Sequence, residues 1–219
     1  LPFLIPIYKN GKWSAFKVRC GLWLYDVLSL FQNIQAHKWL RKNKLKDLIP
    51  NILSTDLKGG ACYYDAIMDD SRLCLDVAFQ AKQFGAELYN YMKVQDVHIE
   101  NNEVELTVID EVSNGEIHLK SKAIINATGP WTDSVRKIWS KHEKSVLRPS
   151  KGVHIIMRCL SEKYALLLNT PQDGRTFFVI PWKGYSLIGT TDTESGMSPD
   201  KLKVSKEDIH YLLTATQYY

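Results

Sequence analysis

The feature that most constrains the fold is an apolar run that ends in a glycine and a proline. Ile124 and Ile125 lead into Asn126-Ala127-Thr128-Gly129-Pro130-Trp131. Because proline is favoured in the first turn of a helix, this spacing predicts a strand, a tight turn and then a helix. Glycine at the turn lets another molecule approach the backbone, and the first amides of the helix favour an anion such as a pyrophosphate. An ordinary strand-to-helix connection would have the same sequence, so the residues leave both interpretations open.

Prolines and glycines divide the chain before that run. Two prolines interrupt the apolar start Leu1–Ile7, which predicts an edge strand or an extended entry, since proline cannot donate to a ladder. Residues 14–40 contain no proline and predict one long helix or two. Gly59-Gly60 predicts a break in the chain. The next predicted helix begins at Asp70, as its cap, and ends at Gly85.

The spacing of apolar residues then changes from helical to alternating. Apolar and polar residues alternate from Val94 to Leu119, and this alternation predicts a β-meander. Asn101-Asn102 and Asn114-Gly115 are its predicted turns, because asparagine and glycine tolerate a positive φ. Residues 123–125 complete a meander of three or four strands.

After residue 145 the pattern is that of an antiparallel sheet. Candidate strands span residues 153–157, 164–168, 176–180 and 185–188. Asp173-Gly174 and Lys183-Gly184 are the predicted turns between them. Ser205 and Asp208 have the spacing of a helix cap. This order of elements predicts pieces of two interleaved domains rather than one simple fold.

Composition favours a globular protein without a membrane span. The 219 residues are 45% hydrophobic and 24% charged, as is usual for globular domains. No run of about 18 apolar residues occurs, so no transmembrane helix is predicted. The four cysteines include no C-x-x-C pair, which favours free thiols over a disulfide or a zinc site.

Positive charge is concentrated near the start of the chain. Residues 1–50 carry nine Lys/Arg against two Asp, whereas the remainder carries 19 Lys/Arg against 22 acidic residues. Trp23, Leu24 and Phe31 precede the basic stretch Lys38–Lys46. Such a segment suits an anionic membrane surface, and the alternative is a core helix followed by solvated lysines. A nucleic-acid partner is not predicted, because the net charge of +4 is modest and no known binding motif is present.

His154 is the clearest candidate for acid–base chemistry. It lies within a predicted strand, three residues after Lys151. A histidine in this position is a core residue, a general base, or a hydrogen-bond donor to a substrate oxygen. Arg148 and Lys151 are either surface charges or groups that attract a phosphate or a flavin.

Small polar residues follow two apolar strands near the end of the chain. Arg175 precedes the first strand, and Gly189-Thr190-Thr191-Asp192 ends the second. This group predicts the mouth of a substrate cavity, or simply a hydroxyl-rich turn.

In sequence order, these motifs resemble one protein family. The chain resembles the FAD-dependent glycerol-3-phosphate dehydrogenases, within the D-amino-acid-oxidase-like flavoproteins, at Gly21–Asp26, Asp69–Leu73, Asn126–Trp131, Lys151–Ile155, Phe177–Trp182 and Ile188–Asp192. The Asn-Ala-Thr-Gly turn is shared by many flavoproteins. Its combination with Lys-Gly-x-His and with Phe-x-Ile-Pro-Trp followed by Ile-Gly-Thr-Thr-Asp is much narrower.

The resemblance implies an α/β fold with an α+β cap. Residues 65–142 would form part of an FAD-binding, Rossmann-like domain with a β-meander. Residues 1–64, with a basic helical segment, and 143–219, with an antiparallel sheet, would be parts of the substrate domain. The family's G-x-G-x-x-G turn and a later segment with a substrate-binding Arg are absent. The chain is therefore expected to be the central part of a larger protein and to be inactive alone.

The resemblance also implies an activity. A hydride passes from C2 of glycerol 3-phosphate to FAD while a base accepts the hydroxyl proton, dihydroxyacetone phosphate is formed, and membrane quinone receives the electrons. The residues carried over are His154 as the base, Val94, Ala127, Thr128 and Gly129 for FAD, and Arg175, Thr190 and Thr191 for the substrate.

The family also suggests a location and partners. Its quinone-linked members lie on a membrane surface, so the expected location is cytoplasmic, at the inner face of the cell membrane, and a homodimer is a candidate assembly. Three other functions stay open: an amino-acid or hydroxy-acid oxidase of the same superfamily, an oxygen-using glycerol-3-phosphate oxidase, and a non-catalytic fragment.

Overall fold

The computed structural model describes residues 1–30, 32–101, 103–140, 144–196 and 198–219. The strands within them are β1 (Pro2–Tyr8), β2 (Lys38–Arg41), β3 (Leu57–Tyr64), β4 (Met92–Glu100), β5 (Glu103–Asp110), β6 (Glu116–Ser121), β7 (Ser150–Lys151), β8 (His154–Arg158), β9 (Ala165–Asn169), β10 (Thr176–Trp182), β11 (Tyr185–Gly189) and β12 (Thr193–Glu194). The helices are α1 (Ala15–Leu28), α2 (Lys42–Leu48), α3 (Asp70–Gln83), α4 (Thr132–Trp139) and α5 (Lys206–Tyr218), with 3₁₀ turns at Gly129–Trp131 and Pro199–Lys201.

The chain divides into two compact units. Unit 1 contains Leu1–Ile67, Ser150–Thr193 and Lys203–Tyr219, and unit 2 contains Met68–Pro149 and Glu194–Leu202. The chain therefore leaves unit 1 and returns to it twice. The functional roles given to residues 1–64, 65–142 and 143–219 stay predictions.

Unit 1 is built on a mixed sheet. Its seven strands have the order β2-β3-β1-β9-β10-β11-β8 within the described residues. Leu4, Phe177 and Ile188 of the sheet are fully buried, together with Leu45 of α2 and Ala215 of α5. Burying a large apolar side chain stabilises a fold by about 1.5–3 kcal/mol. The larger core cluster of unit 1 thus lies between the sheet and these two helices.

β1 lies in the interior of this sheet, so the predicted edge strand is wrong. It pairs with β3 along its length, and with β9 only at Phe3 and Leu4. Pro2 and Pro6 fall beyond the ends of this short parallel ladder. Because the ladder is so short, the sheet tolerates two residues that cannot donate to it.

Gly59 and Gly60 lie inside β3, so the predicted chain break is also wrong. A Cβ added to Gly60 would lie 2.5 Å from the carbonyl oxygen of Ile5, and one added to Gly59 would lie 2.4 Å from that of Leu40. The two glycines therefore allow β3 to approach the chain on both of its sides.

Residues 14–40 form one helix and one strand. The hydroxyl of Ser14 caps α1 by accepting from the amide of Lys17 at 3.2 Å. The helix ends at Leu28, and the last part of the predicted helical stretch is β2 instead. Phe31 lies outside the described residues. Helix α1 is therefore confirmed, but shorter than the pattern allows.

Unit 2 contains the predicted meander. Strands β4, β5 and β6 pair antiparallel in chain order, and bury Val97, Val104 and Val108. Asn114 has φ 58° in the loop between β5 and β6, which confirms this hairpin. Asn102 of the other predicted turn lies outside the described residues. Residues 123–128 pair with no described strand, so the predicted strand at Ile124-Ile125 is wrong.

Helix α3 of unit 2 begins and ends close to its predicted bounds. Asp69 rather than Asp70 is the cap, and its carboxylate accepts from the amide of Arg72 at 3.3 Å. Gly85 has φ 91°, and its amide donates to the carbonyl of Lys82 at 3.0 Å. The glycine terminator is confirmed.

The segment after residue 145 also agrees with its pattern. Strands β8 to β11 match the four predicted strands to within two residues, and α5 carries the predicted cap, with Ser205 and Asp208 bonding reciprocally. The presence of a large mixed sheet and a separate antiparallel sheet confirms the α/β fold class. No helix in the described part of the chain is long and apolar enough to cross a membrane.

Candidate functional site

The turn at Thr128–Gly129 in unit 2 presents open backbone. Ala127, Thr128 and Gly129 are exposed. Gly129 has φ 53°, and a Cβ added to it would meet nothing within 4 Å. The space above this glycine is therefore free for a ligand to approach the chain. Pro130 lies in the 3₁₀ turn that leads into α4, as the sequence predicts.

Asn126 fixes the shape of this turn. Its side-chain oxygen accepts from the hydroxyl of Thr128 at 2.7 Å and from the amide of Thr128 at 3.3 Å, and its amide group donates to the carbonyl of Thr132 at 3.0 Å. The amide of Thr128 is therefore already bonded. Among the described residues, the amides of Ala127 and Gly129 have no such partner, so they are the ones available to an anion.

Val94 belongs to the same unit as this turn. It is half-buried in β4, opposite Val108 of β5. Helix α4, which follows the turn, packs against β4. Unit 2 thus contains all four residues predicted to contact FAD, and α4 connects the turn to the strand of Val94.

His154 lies in unit 1 on the edge strand β8. It is exposed, so it is not a core histidine. In the part of the chain that the structure describes, neither ring nitrogen has a hydrogen-bond partner. The ring faces Gly189, its cross-strand neighbour on β11. A free imidazole held on a strand can accept a proton from a bound hydroxyl group.

Thr191 is buried and bonded to the backbone before His154. Its hydroxyl accepts from the amide of Val153 at 2.9 Å, and its own amide donates to the carbonyl of Val153 at 3.2 Å. Thr190 is exposed, and its hydroxyl donates to the carbonyl of Thr191 at 2.8 Å. The two threonines predicted to contact the substrate thus both have backbone partners.

Arg175 and Thr191 line one cavity of about 390 Å³. Its other walls include Lys151 and Tyr211, and the carboxylates of Asp192, Glu207 and Asp208. The guanidinium group of Arg175 donates to the carbonyl of Asp192 and lies 3.3 Å from the carboxylate of Asp173. Because cationic and anionic groups share these walls, charge alone does not favour a phosphate over a neutral polar ligand.

Lys151 and Asp208 form a buried ion pair beside this cavity. Nζ lies 2.6 Å from Oδ2, and the side chains are 13% and 6% exposed. Burial by itself would raise the pKa of Asp208, but hydrogen bonds from Lys151 and Ser205, with the positive charge of Lys151, outweigh it and lower the pKa. Lys151 is therefore a cation with a fixed partner.

The predicted site residues form two groups, one in each unit. Three residues that support them were not predicted as site residues: Asn126, Gly189 and Asp208. The role of Asn126 could have been predicted from the sequence, because an asparagine side chain often accepts from the amide two residues later in an Asx turn. Gly189 belongs to the Ile-Gly-Thr-Thr-Asp motif, but only the cross-strand register places it opposite His154.

Comparisons with known proteins agree with the resemblance. The model of the FAD dependent oxidoreductase family matches residues 5–219. Aerobic glycerol-3-phosphate dehydrogenases of Staphylococcus aureus (strain MRSA252) and Staphylococcus haemolyticus are similar to this chain. Each is 33% identical to it over an alignment that covers 98% of the chain. The chain spans only 39% of the length of either relative.

Solved structures give the same result. Glycerol-3-phosphate dehydrogenase from Bacillus halodurans, complexed with FAD, matches 99% of this chain and 39% of its own length, with 30% identity and a TM-score of 0.80. L-proline dehydrogenase from P. horikoshii has a TM-score of 0.71 at 17% identity, which indicates a shared fold only. The match over almost the whole sequence shows that this chain belongs to the FAD dependent oxidoreductase family, whose cofactor is FAD.

Proposed function

We propose that this chain is part of an enzyme that oxidises glycerol 3-phosphate to dihydroxyacetone phosphate with FAD and passes the electrons to a quinone. The 33% identity to aerobic glycerol-3-phosphate dehydrogenases supports this substrate. Because the chain spans 39% of those relatives, the proposal concerns the natural gene product that contains these residues.

The observation that carries the proposal is the environment of His154. The imidazole is exposed on an edge strand, and its ring nitrogens have no partner among the described residues. A base must reach the proton that it abstracts, so a histidine with a free nitrogen at the surface of a rigid sheet fits the role.

The chain's own residues divide the chemical work. FAD, when bound, supplies the acceptor for the hydride that leaves C2 of glycerol 3-phosphate. His154 accepts the proton that leaves the C2 hydroxyl, so that the carbonyl of the product can form. The open backbone at Gly129 and the free amides of Ala127 and Gly129 fit the diphosphate of the cofactor. Val94 would contact the adenine of FAD.

The test is His154→Ala in the natural gene product, purified with FAD. A general base contributes about 10²–10⁴-fold, so kcat with glycerol 3-phosphate should fall by that factor. The flavin spectrum and the melting temperature should stay close to those of the wild type, because an exposed side chain is removed. Unchanged turnover would show that His154 is not the base. Oxidation of amino acids in place of glycerol 3-phosphate would reject the substrate.

The electron acceptor is tested separately. With glycerol 3-phosphate as the donor, we expect reduction of a short-chain quinone without release of hydrogen peroxide. Peroxide formation at a rate that matches substrate oxidation would identify an oxygen-using oxidase instead.

We also propose that the enzyme lies at the inner face of the cell membrane, with α1 against the lipid. The outward side of α1 exposes Phe16, Trp23, Leu24 and Leu28 at fractions from 51% to 75%. Arg19 of the same helix lies over the ring of Trp39 at 4.7 Å, which brings the basic strand β2 beside these apolar residues. Exposed apolar side chains flanked by cations suit a surface of anionic lipid.

Vesicle binding tests this location. The protein should sediment with vesicles that contain phosphatidylserine, and salt should weaken the binding. Trp23→Ser with Leu24→Ser should weaken it by about tenfold or more, because each apolar side chain contributes more than 1 kcal/mol on burial. Phe84→Ser is the matched control, since Phe84 is 91% exposed but lies in unit 2. Equal losses in both variants would count against α1.

A further inference from the structure

We propose that Gly189 and Thr191 are positioning residues that hold the imidazole of His154 in its catalytic orientation. This inference rests on the proposed base role of His154. It also gives Thr191 a different role from the direct substrate contact that the sequence suggests.

Gly189 leaves the space in which the ring lies. The two residues are opposite each other in the antiparallel pair of β11 and β8, where side chains project to the same face. A Cβ added to Gly189 would lie 2.5 Å from Cδ2 and 2.9 Å from Cγ of His154. Real atoms do not approach so closely, so any other residue at position 189 would displace the imidazole. Gly189 does not have a positive φ, so its backbone conformation is open to other residues. Glycine is required here because a side chain has no space.

Thr191 fixes the backbone on which the ring is mounted. It bonds both the amide and the carbonyl of Val153, and its hydroxyl also lies 3.5 Å from the carbonyl of Lys151. Val153 and Thr191 are 5% and 4% exposed. A buried hydroxyl with backbone partners on both sides has little capacity left for a substrate oxygen. Its effect on the reaction must therefore pass through the chain that carries His154.

Gly152 and Thr190 support the same arrangement. A Cβ added to Gly152 would lie 2.7 Å from the hydroxyl oxygen of Thr190. Gly152 and Gly189 thus let residues 152–154 and 189–191 pack closely. This close packing leaves the imidazole few alternative positions.

A double-mutant cycle in the natural gene product tests the role of Gly189. Gly189→Ala should lower kcat by about 10²-fold, since a shift of about 1 Å in a catalytic group can cost this much. In a His154→Ala background, the same change should cause no further loss, because the ring it displaces is gone. Gly196→Ala is the control, as a Cβ there would meet nothing within 4 Å.

Melting temperatures of the same four proteins give a readout that does not depend on activity. Gly189→Ala should lower the melting temperature, and it should lower it less in the His154→Ala background. A residual effect is expected in both, because the added Cβ would also lie 2.9 Å from the carbonyl oxygen of Val153. Equal losses in the two backgrounds would show that the ring does not occupy this space.

Thr191 is tested with two substitutions. Thr191→Val removes the hydroxyl and should lower kcat while the KM for glycerol 3-phosphate stays nearly constant. Thr191→Ser keeps the hydroxyl and should restore most of kcat. A raised KM with unchanged kcat would overturn the positioning role and support direct contact with the substrate.

The results separate this inference from the proposed function. If His154→Ala turns over normally, the base assignment fails and the positioning role fails with it. If His154→Ala is slow but the losses of the two single variants multiply in the double variant, only the positioning role fails.

Discussion

Lys151 and Asp208 show how a partner decides what a single side chain can do. From the sequence, Lys151 was a surface charge or a group for a phosphate or a flavin. In the structure its ammonium group lies 2.6 Å from a carboxylate that also accepts from the amide of Ser205 at 2.8 Å. A ligand phosphate would have to compete with this buried pair. The main effect of the Lys151 charge is therefore to stabilise the Asp208 carboxylate that caps α5.

We expect Asp208→Asn to lower the free energy of unfolding at pH 7 by about 3 kcal/mol, the lower end of the range for a broken buried pair. The carboxyl pKa is below its ordinary value of 3.8 in the folded protein. Its contribution is therefore fully present above pH 3.8 and is lost as the pH falls through the lower, folded pKa. Urea unfolding at pH 7 and at pH 3 should show a smaller difference between variant and wild type at pH 3.

An exposed ion pair provides the control. Lys120 and Glu105 are also 2.6 Å apart, but their side chains are 72% and 50% exposed. Glu105→Gln should change stability little, because solvent screens exposed charges. If both variants lose the same stability at pH 7, burial is not what gives the Lys151–Asp208 pair its strength.

At the scale of elements, close strand approach depends on glycine. Gly60 lies in β3, and a side chain there would collide with the backbone of Ile5 on β1. We expect Gly60→Ala to destabilise the protein by about 1–3 kcal/mol, as overpacking usually does. Gly21→Ala is the control, because a Cβ on Gly21 in α1 meets nothing within 4 Å. Helix propensity predicts that this control is stabilised by about 1 kcal/mol. Thermal or urea unfolding measures both, and a neutral Gly60→Ala would show that the strands can separate.

Elements that depend on local signals were predicted well. The Gly85 end of α3, the cap of α5, the turns at Gly174 and Gly184 and the meander of unit 2 follow from residues within a few positions of each other. Elements that depend on distant partners were not. Pro2 and Pro6 predicted an edge strand, and Gly59-Gly60 predicted a break. Both predictions were wrong, because neither segment contains a local pattern that indicates the pairing of β1 with β3 and β9.

At the scale of the whole molecule, the candidate residues come from two units. Val94 and the Thr128–Gly129 turn belong to unit 2, whereas His154, Arg175 and Thr191 belong to unit 1. The chain returns to unit 1 at Ser150, shortly before His154. One continuous chain thus supplies residues to both groups. Motifs that follow one another in the sequence therefore lie in separate units.

The sequence by itself determined the family, the cap of α5, the alternating strands and the turn at Gly129, because each rests on neighbouring residues or on motifs read in order. Only the tertiary structure decided that β1 is central, that His154 is exposed over Gly189, and that Thr191 bonds the backbone of Val153. Strand register and burial arise from contacts between residues far apart in sequence. Such contacts leave no local pattern, so the role of a residue like Gly189 becomes visible only when its cross-strand neighbour is known.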